Sequence, residues 1–341
     1  MRKSCLLFLV AIVLSVKLFG QGHSVNELVD KGNALYDKGD YISAAVTYRE
    51  ALAIDSNSAR ALCELANTSV ALEKYEQALA CAEKIIQLND QFLDHAYILK
   101  GTALDLLNRY DEAIQAYLEG IKKYPDNHLL QYNVAFTYYN QKQYKDAEYH
   151  AIKSIELKPD HASSHLLLGE CMYHEGKRTQ SLLALYYFLL LENNSKRSPL
   201  GLALLHKQEG WGVKKEADDK ITVNISPDDK SDFATTELVL GLSQAMSYDD
   251  KNKDKTEVEK LIDITKSFFD IVTETDDKKK KDDIWWNFYL PFFGALNKSG
   301  NTETFCYYIC VSSKESGAAA WLGGNTQKVG EFAAWYKEYN K

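Results

Sequence analysis

The sequence lacks the short motifs by which many enzymes and metal sites are recognised. Its 341 residues contain no glycine-rich phosphate loop, no nucleophile elbow and no paired cysteines at zinc-ligand spacing. His161 and His165 stand one helical turn apart and could face a metal together, but no third ligand is evident. We therefore predict that the chain is not an enzyme and binds neither a metal nor a cofactor.

A calcium loop is also poorly supported. Alternating oxygen ligands occur once, at Asp250, Asn252 and Asp254. Lys255 and Leu261, however, occupy the positions where such a loop needs a glycine and a bidentate glutamate. The pattern is more typical of a solvated charged loop.

Cysteine is too scarce and too irregular for a disulfide framework. One of the six, Cys5, lies in the N-terminal apolar segment, and an odd number remains after it. Three of these are predicted to be small core residues of helices: Cys63, Cys81 and Cys171. Cys306 and Cys310 stand one helical turn apart, so a bridge or a ligand pair there is an alternative.

Positive charge is in deficit, which argues against nucleic-acid binding. The formal net charge is −8, and residues 1–20 carry three positive and no negative side chains, so the remainder is close to −11. An acidic surface repels phosphate backbones.

The N-terminal segment has the three parts of a secretory signal peptide. Arg2 and Lys3 precede an apolar run, Cys5 to Val16, and the small residue Gly20 follows. That run of about twelve residues falls short of the roughly 20 that span a bilayer. We predict a signal peptide at residues 1–20, cleaved next to Gly20, and a periplasmic or secreted protein; a retained anchor is the alternative.

A pair of residues spaced Tyr-x-x-Ala returns every 34 or 35 positions. The pairs are Tyr41 and Ala44, Tyr75 and Ala78, Tyr110 and Ala113, and Tyr144 and Ala147. A small residue twelve positions before each alanine keeps the same period: Gly32, Ala66, Gly101 and Ala135, with a fifth at Gly169. This self-similarity predicts stacked helical hairpins that bury their apolar faces against one another.

The repeats resemble the tetratricopeptide repeat family. The first repeat matches its signature at Gly32, Ala44, Tyr48 and Ala51; the third at Gly101, Ala113, Tyr117, Gly120 and Pro125; the fourth at Ala135, Tyr144, Ala147 and Pro159. The second repeat is weaker, and the fifth departs further, with Arg178 for the tyrosine and Ser181 for the alanine. The extra residue of the single 35-residue step is predicted in the loop from Asn89 to Leu93.

The resemblance implies that the first helix of each repeat lines a concave peptide-binding face. It assigns these groove residues: Asn33, Tyr36, Asn67, Tyr132, Phe136, Tyr139 and Tyr173. It also places Val29 and Cys63 on that face. Amides can bond a peptide backbone, and aromatic rings often form binding hot spots. The alternative is that the aromatic stripe only packs against the next helix.

The same resemblance disfavours one kind of ligand. Some members of the family hold a C-terminal carboxylate with basic side chains, but Val29 stands where such a lysine would be. Binding of chaperone tails in that way is therefore not expected.

After residue 195 the 34-residue repeat is no longer present, and the sequence resembles no recognisable family. We predict a short strand or hairpin arm at Lys220 and the residues after it, and three helices at Asp232 to Ser247, Thr256 to Thr273 and Asp283 to Asn297, the last kinked at Pro291. The aromatic run at residues 284–293 favours a compact core over an exposed patch. Leu182 to Leu191 carries no charge, which predicts a helix covered by the C-terminal region; the final helix, Lys328 to Tyr339, is expected to cap the stack.

The predicted fold is mainly α. It comprises a signal peptide at 1–20, five tetratricopeptide repeats at 25–195 and a helical C-terminal region at 196–341 with a short β-hairpin. The predicted function is a non-enzymatic scaffold or adaptor that binds a protein or peptide in the cell envelope of a bacterium. Two alternatives are a structural subunit of an envelope assembly, held through its convex face or C-terminal half, and a carbohydrate-active C-terminal domain.

Overall fold

The computed structural model describes residues 23–89, 91–216, 220–224, 232–274 and 283–341. The predicted signal peptide lies outside these ranges. The chain divides into two compact units at residues 133 and 134, within one helix. Among the described residues no helix has the length and apolar character to cross a bilayer.

Ten helices form the five predicted hairpins. They are α1 (Val25–Tyr36) and α2 (Tyr41–Ile54), α3 (Ala59–Ala71) and α4 (Tyr75–Leu88), α5 (Leu93–Leu106) and α6 (Tyr110–Lys123), α7 (His128–Asn140) and α8 (Tyr144–Leu157), and α9 (Ala162–His174) and α10 (Arg178–Leu191). The first unit contains α1 to α6 and the first half of α7. The second unit contains the remainder of the chain.

The C-terminal region is helical apart from one small hairpin. Its elements are α11 (Ser198–Glu209), β1 (Val213–Lys215), β2 (Ile221–Val223), α12 (Ala234–Ser247), α13 (Glu257–Glu274), α14 (Leu290–Lys298), α15 (Thr302–Ile309), α16 (Ala318–Gly324) and α17 (Thr326–Tyr339). The strands are antiparallel, with Val213 opposite Val223. The predicted hairpin arm and three helices are confirmed, whereas α11, α15 and α16 were not predicted.

Side chains at the helix starts fix the first hairpins. Ser24 and Glu27 form a reciprocal capping box at the start of α1. Asp40 Oδ1 accepts a hydrogen bond from the Ser43 amide at 3.1 Å and so caps α2. These bonds satisfy amide donors that the helices themselves leave unpaired.

One residue in each hairpin turn adopts a left-handed backbone, and it follows the repeat period. These residues are Gly39, Glu73, Asn108, Lys142 and Gly176, with φ between 58° and 80°. Glycine adopts this conformation without strain, whereas a side chain makes it costly. The turn is therefore set by the helices on either side, even where the local residue disfavours it.

The extra residue of the 35-residue step lies at the start of α5. Helix α5 has eight residues before Gly101, whereas α1 and α3 have seven before Gly32 and Ala66. Four residues separate α4 from α5, as four separate α2 from α3, so the extra residue lies within α5 and its predicted placement in the loop from Asn89 to Leu93 was wrong. Asp90 of the same segment lies outside the described residues.

The small residues of the first helices accommodate a ring from the second helix. A Cβ atom on Gly32 would lie 2.3 Å from the Tyr48 ring, and one on Gly101 would lie 2.4 Å from the Tyr117 ring. The group that Gly32 accommodates is therefore Tyr48, one turn after Ala44 on α2. Where the small residue is alanine, the partner position sixteen residues on is also alanine: Ala66 with Ala82, and Ala135 with Ala151.

In the second unit, α10 is enclosed by the C-terminal helices, as predicted. Residues 181–190 are all buried. The Tyr186 ring contacts rings of α13, α14 and α15, which are Phe268, Phe269, Phe293 and Phe305. Its hydroxyl donates to Glu209 Oε1 at 2.7 Å. The last repeat is therefore completed by the C-terminal region in place of a polar cap.

The aromatic run at residues 284–293 forms a core, as predicted. Trp285, Trp286, Tyr289, Phe292 and Phe293 are buried. A single π-helical turn, Trp285–Tyr289, precedes α14, and the Leu290 amide donates to the Trp285 carbonyl five residues back. This wide turn lies just before Pro291, where we predicted a kink.

Helix α17 covers the C-terminal helices more than the repeats. Phe332 contacts Phe305 and Tyr308 of α15, and Trp335 contacts Phe292 of α14. The prediction that it caps the repeat stack was therefore too simple, because most of its aromatic contacts are with α14 and α15.

Candidate functional site

In the first unit, α1, α3 and α5 present a polar face. Arg60 of α3 reaches back to α1, where its guanidinium lies 2.6 Å from Asp30 Oδ1 and 3.4 Å from Asn26 Oδ1. On these helices, or directly after them, stand the exposed or half-buried acids Asp30, Asp37, Glu64, Asp94 and Asp105.

The two predicted asparagines lie on this face and are half-buried. Asn33 Oδ1 accepts a hydrogen bond from the Tyr48 hydroxyl at 2.7 Å. Asn67 Nδ2 lies 3.4 Å from His95 Nε2. Tyr48 and His95 therefore hold these amides in fixed orientations, which the sequence did not reveal.

Tyr36 lies at the same face in an acidic setting. Its ring centroid is 4.9 Å from that of Tyr41. Burial raises the pKa of Tyr36, and the charges of Tyr41, Glu64 and Asp37 raise it further. Burial likewise raises the pKa of Glu64 above its ordinary value, while Arg60 and His95 oppose that shift. The Glu64 carboxylate is thus partly desolvated.

Two residues that the resemblance placed on the face are not accessible. Val29 is fully buried and Cys63 is 4% exposed. Both belong to the core between neighbouring helices, so their assignment to the groove was wrong. The five cysteines in the described part of the chain are buried and none of them forms a disulfide, which includes Cys306 and Cys310.

In the second unit, aromatic side chains of the predicted stripe lie on α7 and α9. Phe136 is 41% exposed, and Tyr139 and Tyr173 are half-buried. Tyr139 and Tyr173 both contact the ring of His174, at centroid distances of 5.8 Å and 5.1 Å. Tyr144 stacks in parallel on the same imidazole at 4.6 Å. The structure therefore brings Tyr139 and Tyr173 together through His174.

Tyr132 is the remaining member of the predicted stripe. It lies on the part of α7 that belongs to the first unit, and it is half-buried. All seven predicted groove residues thus stand on first helices and keep part of their surface exposed.

Two cationic side chains near the aromatic stripe belong to the C-terminal region and not to the five repeats. Lys207 Nζ of α11 lies 4.8 Å from the centre of the Tyr173 ring. Arg197 donates to Ser163 Oγ at 2.9 Å and pairs with Glu192. Sequence analysis missed both, although Lys207 follows Tyr173 by 34 residues and so continues the repeat period.

Burial also raises the pKa of side chains in and beside this stripe. It raises the pKa of Tyr139 to about 12, with smaller contributions from Glu170, Cys171 and Tyr144. Burial raises the pKa of Glu170 as well, and Arg197 opposes the shift. Tyr139 therefore stays protonated at neutral pH and its hydroxyl can donate a hydrogen bond.

One residue of the histidine pair and one of the calcium pattern contact other groups of the protein. His165 is fully buried, with Nδ1 2.6 Å from the Tyr289 hydroxyl and Nε2 2.8 Å from the Pro159 carbonyl. Asn252 Nδ2 donates to the Met246 carbonyl at 2.8 Å. No group of three or more potential metal ligands occurs within the ranges that the structure describes.

One cavity of the C-terminal region carries a histidine and a buried acid. It has a volume of about 270 Å³ and is lined in part by His206, Glu209, Glu257 and Lys260. His206 Nδ1 lies 3.1 Å from Glu209 Oε2. Glu209 is 3% exposed, and its other oxygen takes the hydrogen bond from Tyr186.

Comparisons with known proteins found the following similarities. A solved structure with similar repeats is TTC0263, a thermophilic TPR protein of Thermus thermophilus. It has a TM-score of 0.45 at 18% identity and covers 54% of this chain and 97% of that chain. Hsp70-Hsp90 organizing protein 3 of Arabidopsis thaliana is 33% identical over 98 residues, which are 29% of this chain and 17% of that protein. Tetratricopeptide repeat protein 28 of Homo sapiens is 31% identical over 99 residues, 29% of this chain and 4% of that protein.

The matches to these two curated relatives span less than a fifth of their length. Two family models match the chain itself, "TPR repeat" at residues 32–72 and "Tetratricopeptide repeat" at residues 63–128. Residues 32–128 therefore consist of tetratricopeptide repeats, and over that region this chain is a tetratricopeptide repeat protein.

Proposed function

We propose that the chain is a scaffold or adaptor, without enzymatic activity, that binds a protein or peptide through the first helices of its repeats. The observation that carries the proposal is the half-exposed set of aromatic rings on α7 and α9. Tyrosine and phenylalanine side chains give large contact areas at low cost in conformational entropy, and partly exposed rings are typical of binding hot spots.

The chemistry of the first unit's face supports a peptide ligand. Asn33 and Asn67 are held in place by Tyr48 and His95, so a peptide backbone that bonds to them need not order them first. The name of one curated relative refers to organising Hsp70 and Hsp90. A carboxylate-binding mode is disfavoured here, because Val29 is buried and Arg60 is paired with Asp30.

Affinity capture tests the proposal with matched tyrosine variants. Tyr132→Ala combined with Tyr139→Ala removes two rings of the stripe, whereas Tyr149→Ala removes a tyrosine that is 58% exposed on α8. We expect the double variant to lose a partner that the wild type and Tyr149→Ala both retain. Equal capture by all three proteins would remove the stripe as the binding site.

We also propose that the protein works in the cell envelope, on the strength of the N-terminal sequence. The apolar run from Cys5 to Val16 and the small residue Gly20 support export. The mass of the protein recovered from its source cells tests this directly. A chain that begins near Gln21 is expected, and an intact chain that begins at Met1 would contradict cleavage.

A second candidate function is a structural subunit bound through the C-terminal half. Leu238, Leu242 and Met246 form an exposed apolar stripe along α12, each between 45% and 68% exposed. Such stripes often mark protein interfaces. Under this alternative, Leu242→Ser would abolish assembly while Tyr139→Ala would leave it unchanged.

A further inference from the structure

His206, Glu209 and Tyr186 form a hydrogen-bond network that runs from the surface of the second unit into its core. His206 Nδ1 lies 3.1 Å from Glu209 Oε2, and the His206 side chain is 44% exposed, so it can exchange protons with solvent. The other Glu209 oxygen accepts from the Tyr186 hydroxyl at 2.7 Å. That hydroxyl has a single proton, so Thr265 Oγ1, 2.8 Å away, donates to it. The network therefore joins α11, α10 and α13.

The network lies where the C-terminal helices meet the last repeat. Tyr186 of α10 packs against aromatic rings of α13, α14 and α15. Arg178, also on α10, donates to the Glu209 carbonyl at the end of α11. Helix α11 carries Lys207 as well, whose ammonium lies 4.8 Å from the centre of the Tyr173 ring. A change at Glu209 therefore acts on the helix that holds Lys207 beside the aromatic stripe.

The Glu209 carboxylate is buried, so its charge depends on a partner. Among the cations of the described ranges, only His206 is bonded directly to that carboxylate. Arg178 bonds to the main-chain carbonyl of Glu209 instead. A buried carboxylate that loses its cation keeps the cost of desolvation without the gain of the pair. A protonated His206 therefore stabilises this arrangement more than a neutral one does.

The other titratable groups that face His206 lie on α13 and at the end of α12. The cavity lined by His206 and Glu209 also contains Glu257 and Lys260 of α13 and Tyr248 directly after α12. Lys260 pairs with Glu257 at 3.0 Å. Burial lowers the pKa of His206, but the hydrogen bond and charge of Glu209 and the charge of Glu257 together outweigh burial. The pKa of His206 is therefore raised from 6.5.

We propose that His206 and Glu209 form a pH-sensitive ion pair that holds α11 against α10 and α13. The protonated imidazole neutralises the buried carboxylate, whereas loss of the proton leaves that carboxylate without a bonded cation. Because folding raises the pKa of His206, the stability that it contributes is fully present below pH 6.5 and is lost as the pH rises through the folded pKa. The attachment of the C-terminal helices to the last repeat is therefore weaker at alkaline pH.

Proton NMR of the full chain measures the titration of His206. The chain has eight histidines, and the imidazole signal of His206 is identified by its absence from His206→Gln. We expect a titration midpoint above 6.5 in the wild type. Glu209→Gln should lower that midpoint by about one unit, which is about tenfold in proton affinity. Glutamine still offers an oxygen to the Tyr186 hydroxyl, so this variant keeps the hydrogen bond in the core.

Urea unfolding followed by tryptophan fluorescence measures the effect on the fold. All five tryptophans lie between residues 211 and 335, so the signal reports on the C-terminal region. Wild type and His206→Gln are compared at about pH 6 and about pH 8.5, on either side of the histidine range. The midpoint of the wild type minus that of the variant should decrease as the pH rises, since other groups contribute equally to both proteins. His23→Gln replaces an exposed imidazole of the first unit, and its difference from the wild type should be the same at both pH values.

Two results would each overturn the inference. One is a titration midpoint of His206 that lies at or below 6.5, or that Glu209→Gln leaves unchanged. The other is a difference in urea midpoint between wild type and His206→Gln that stays constant or grows as the pH rises. Circular dichroism confirms that each variant is folded. The inference concerns the stability of the second unit and does not depend on the ligand that the first helices bind.

Discussion

The steric pairing between the two helices of a hairpin gives a quantitative prediction. In the third repeat, Gly101→Ala would place a methyl group 2.4 Å from the ring of Tyr117, which is 2% exposed. Overpacking of a core costs about 1–3 kcal/mol, and such a short contact belongs at the upper end. Alanine offsets about 1 kcal/mol of this through its higher helix propensity. The net loss of stability should be about 1–2 kcal/mol.

Replacing Tyr117 by alanine removes the ring that the new methyl group at position 101 would meet. Tyr117→Ala alone should cost about 3–5 kcal/mol, as for other large buried rings. In the double variant, the alanine at 101 has room and keeps its helix propensity, so adding Gly101→Ala should stabilise Tyr117→Ala by up to about 1 kcal/mol. The double-mutant coupling is therefore about 2–3 kcal/mol. The second and fourth repeats, with Ala66 and Ala82 and with Ala135 and Ala151, already have this combination.

Urea unfolding of the full chain, followed by far-UV circular dichroism, measures the coupling. Four proteins are compared at constant pH and salt: wild type, the two single variants and the double variant. The cycle isolates the pair because other effects of each substitution cancel. A coupling below about 0.5 kcal/mol, the usual limit of additivity, would refute the steric explanation of the small residues.

Three other properties follow from single residues. Lys142→Gly should raise stability by about 0.5–1 kcal/mol in the same urea assay, because Lys142 has φ of 61°. Burial lowers the pKa of His165 to about 3 from 6.5, so the unfolded chain takes up this proton first as pH falls. Stability is then full above pH 6.5 and declines towards pH 3 by up to about 1.4 kcal/mol per unit, and His165→Gln should show a shallower decline. Arg178→Met should destabilise the second unit by several kcal/mol, because the buried guanidinium donates to the Gln208 and Glu209 carbonyls.

The repeat region was predictable because each repeat has nearly the same spacing of small and aromatic residues. Spacing alone predicted five stacked helical hairpins and the periodic small residues, Gly32 and Gly101 among them. It also showed that the extra residue precedes Gly101, although it lies within α5 and not in the preceding loop. These properties depend on helical periodicity and side-chain size, which a sequence shows directly.

Properties that depend on contacts between distant residues were less accessible. Two turn residues with left-handed backbone, Glu73 and Lys142, are of types that rarely adopt it, so the sequence gives no local sign of it there. Arg178 replaces the usual tyrosine of the family, and only the structure shows that it caps the end of α11, more than 25 residues further along the chain.

The sequence predicted which helices carry the candidate site, but it did not predict well which side chains are accessible or which residues contact them. The seven predicted groove residues all lie on first helices, yet Val29 and Cys63, assigned by the same rule, are buried. His174 and Lys207 were missed. His174 could have been noticed beside Tyr173, and Lys207 keeps the 34-residue spacing although the rest of the signature has ended by that point.

The central claim is that ligands bind to the first helices, and equilibrium affinity for one peptide tests it most directly. A peptide selected on the full chain from a random library would be labelled and titrated by fluorescence anisotropy. We predict that Tyr139→Ala weakens binding at least tenfold, about 1.4 kcal/mol, while Tyr149→Ala on α8 changes it less than twofold. Equal affinity for wild type and Tyr139→Ala, or a loss confined to Tyr149→Ala, would contradict the account.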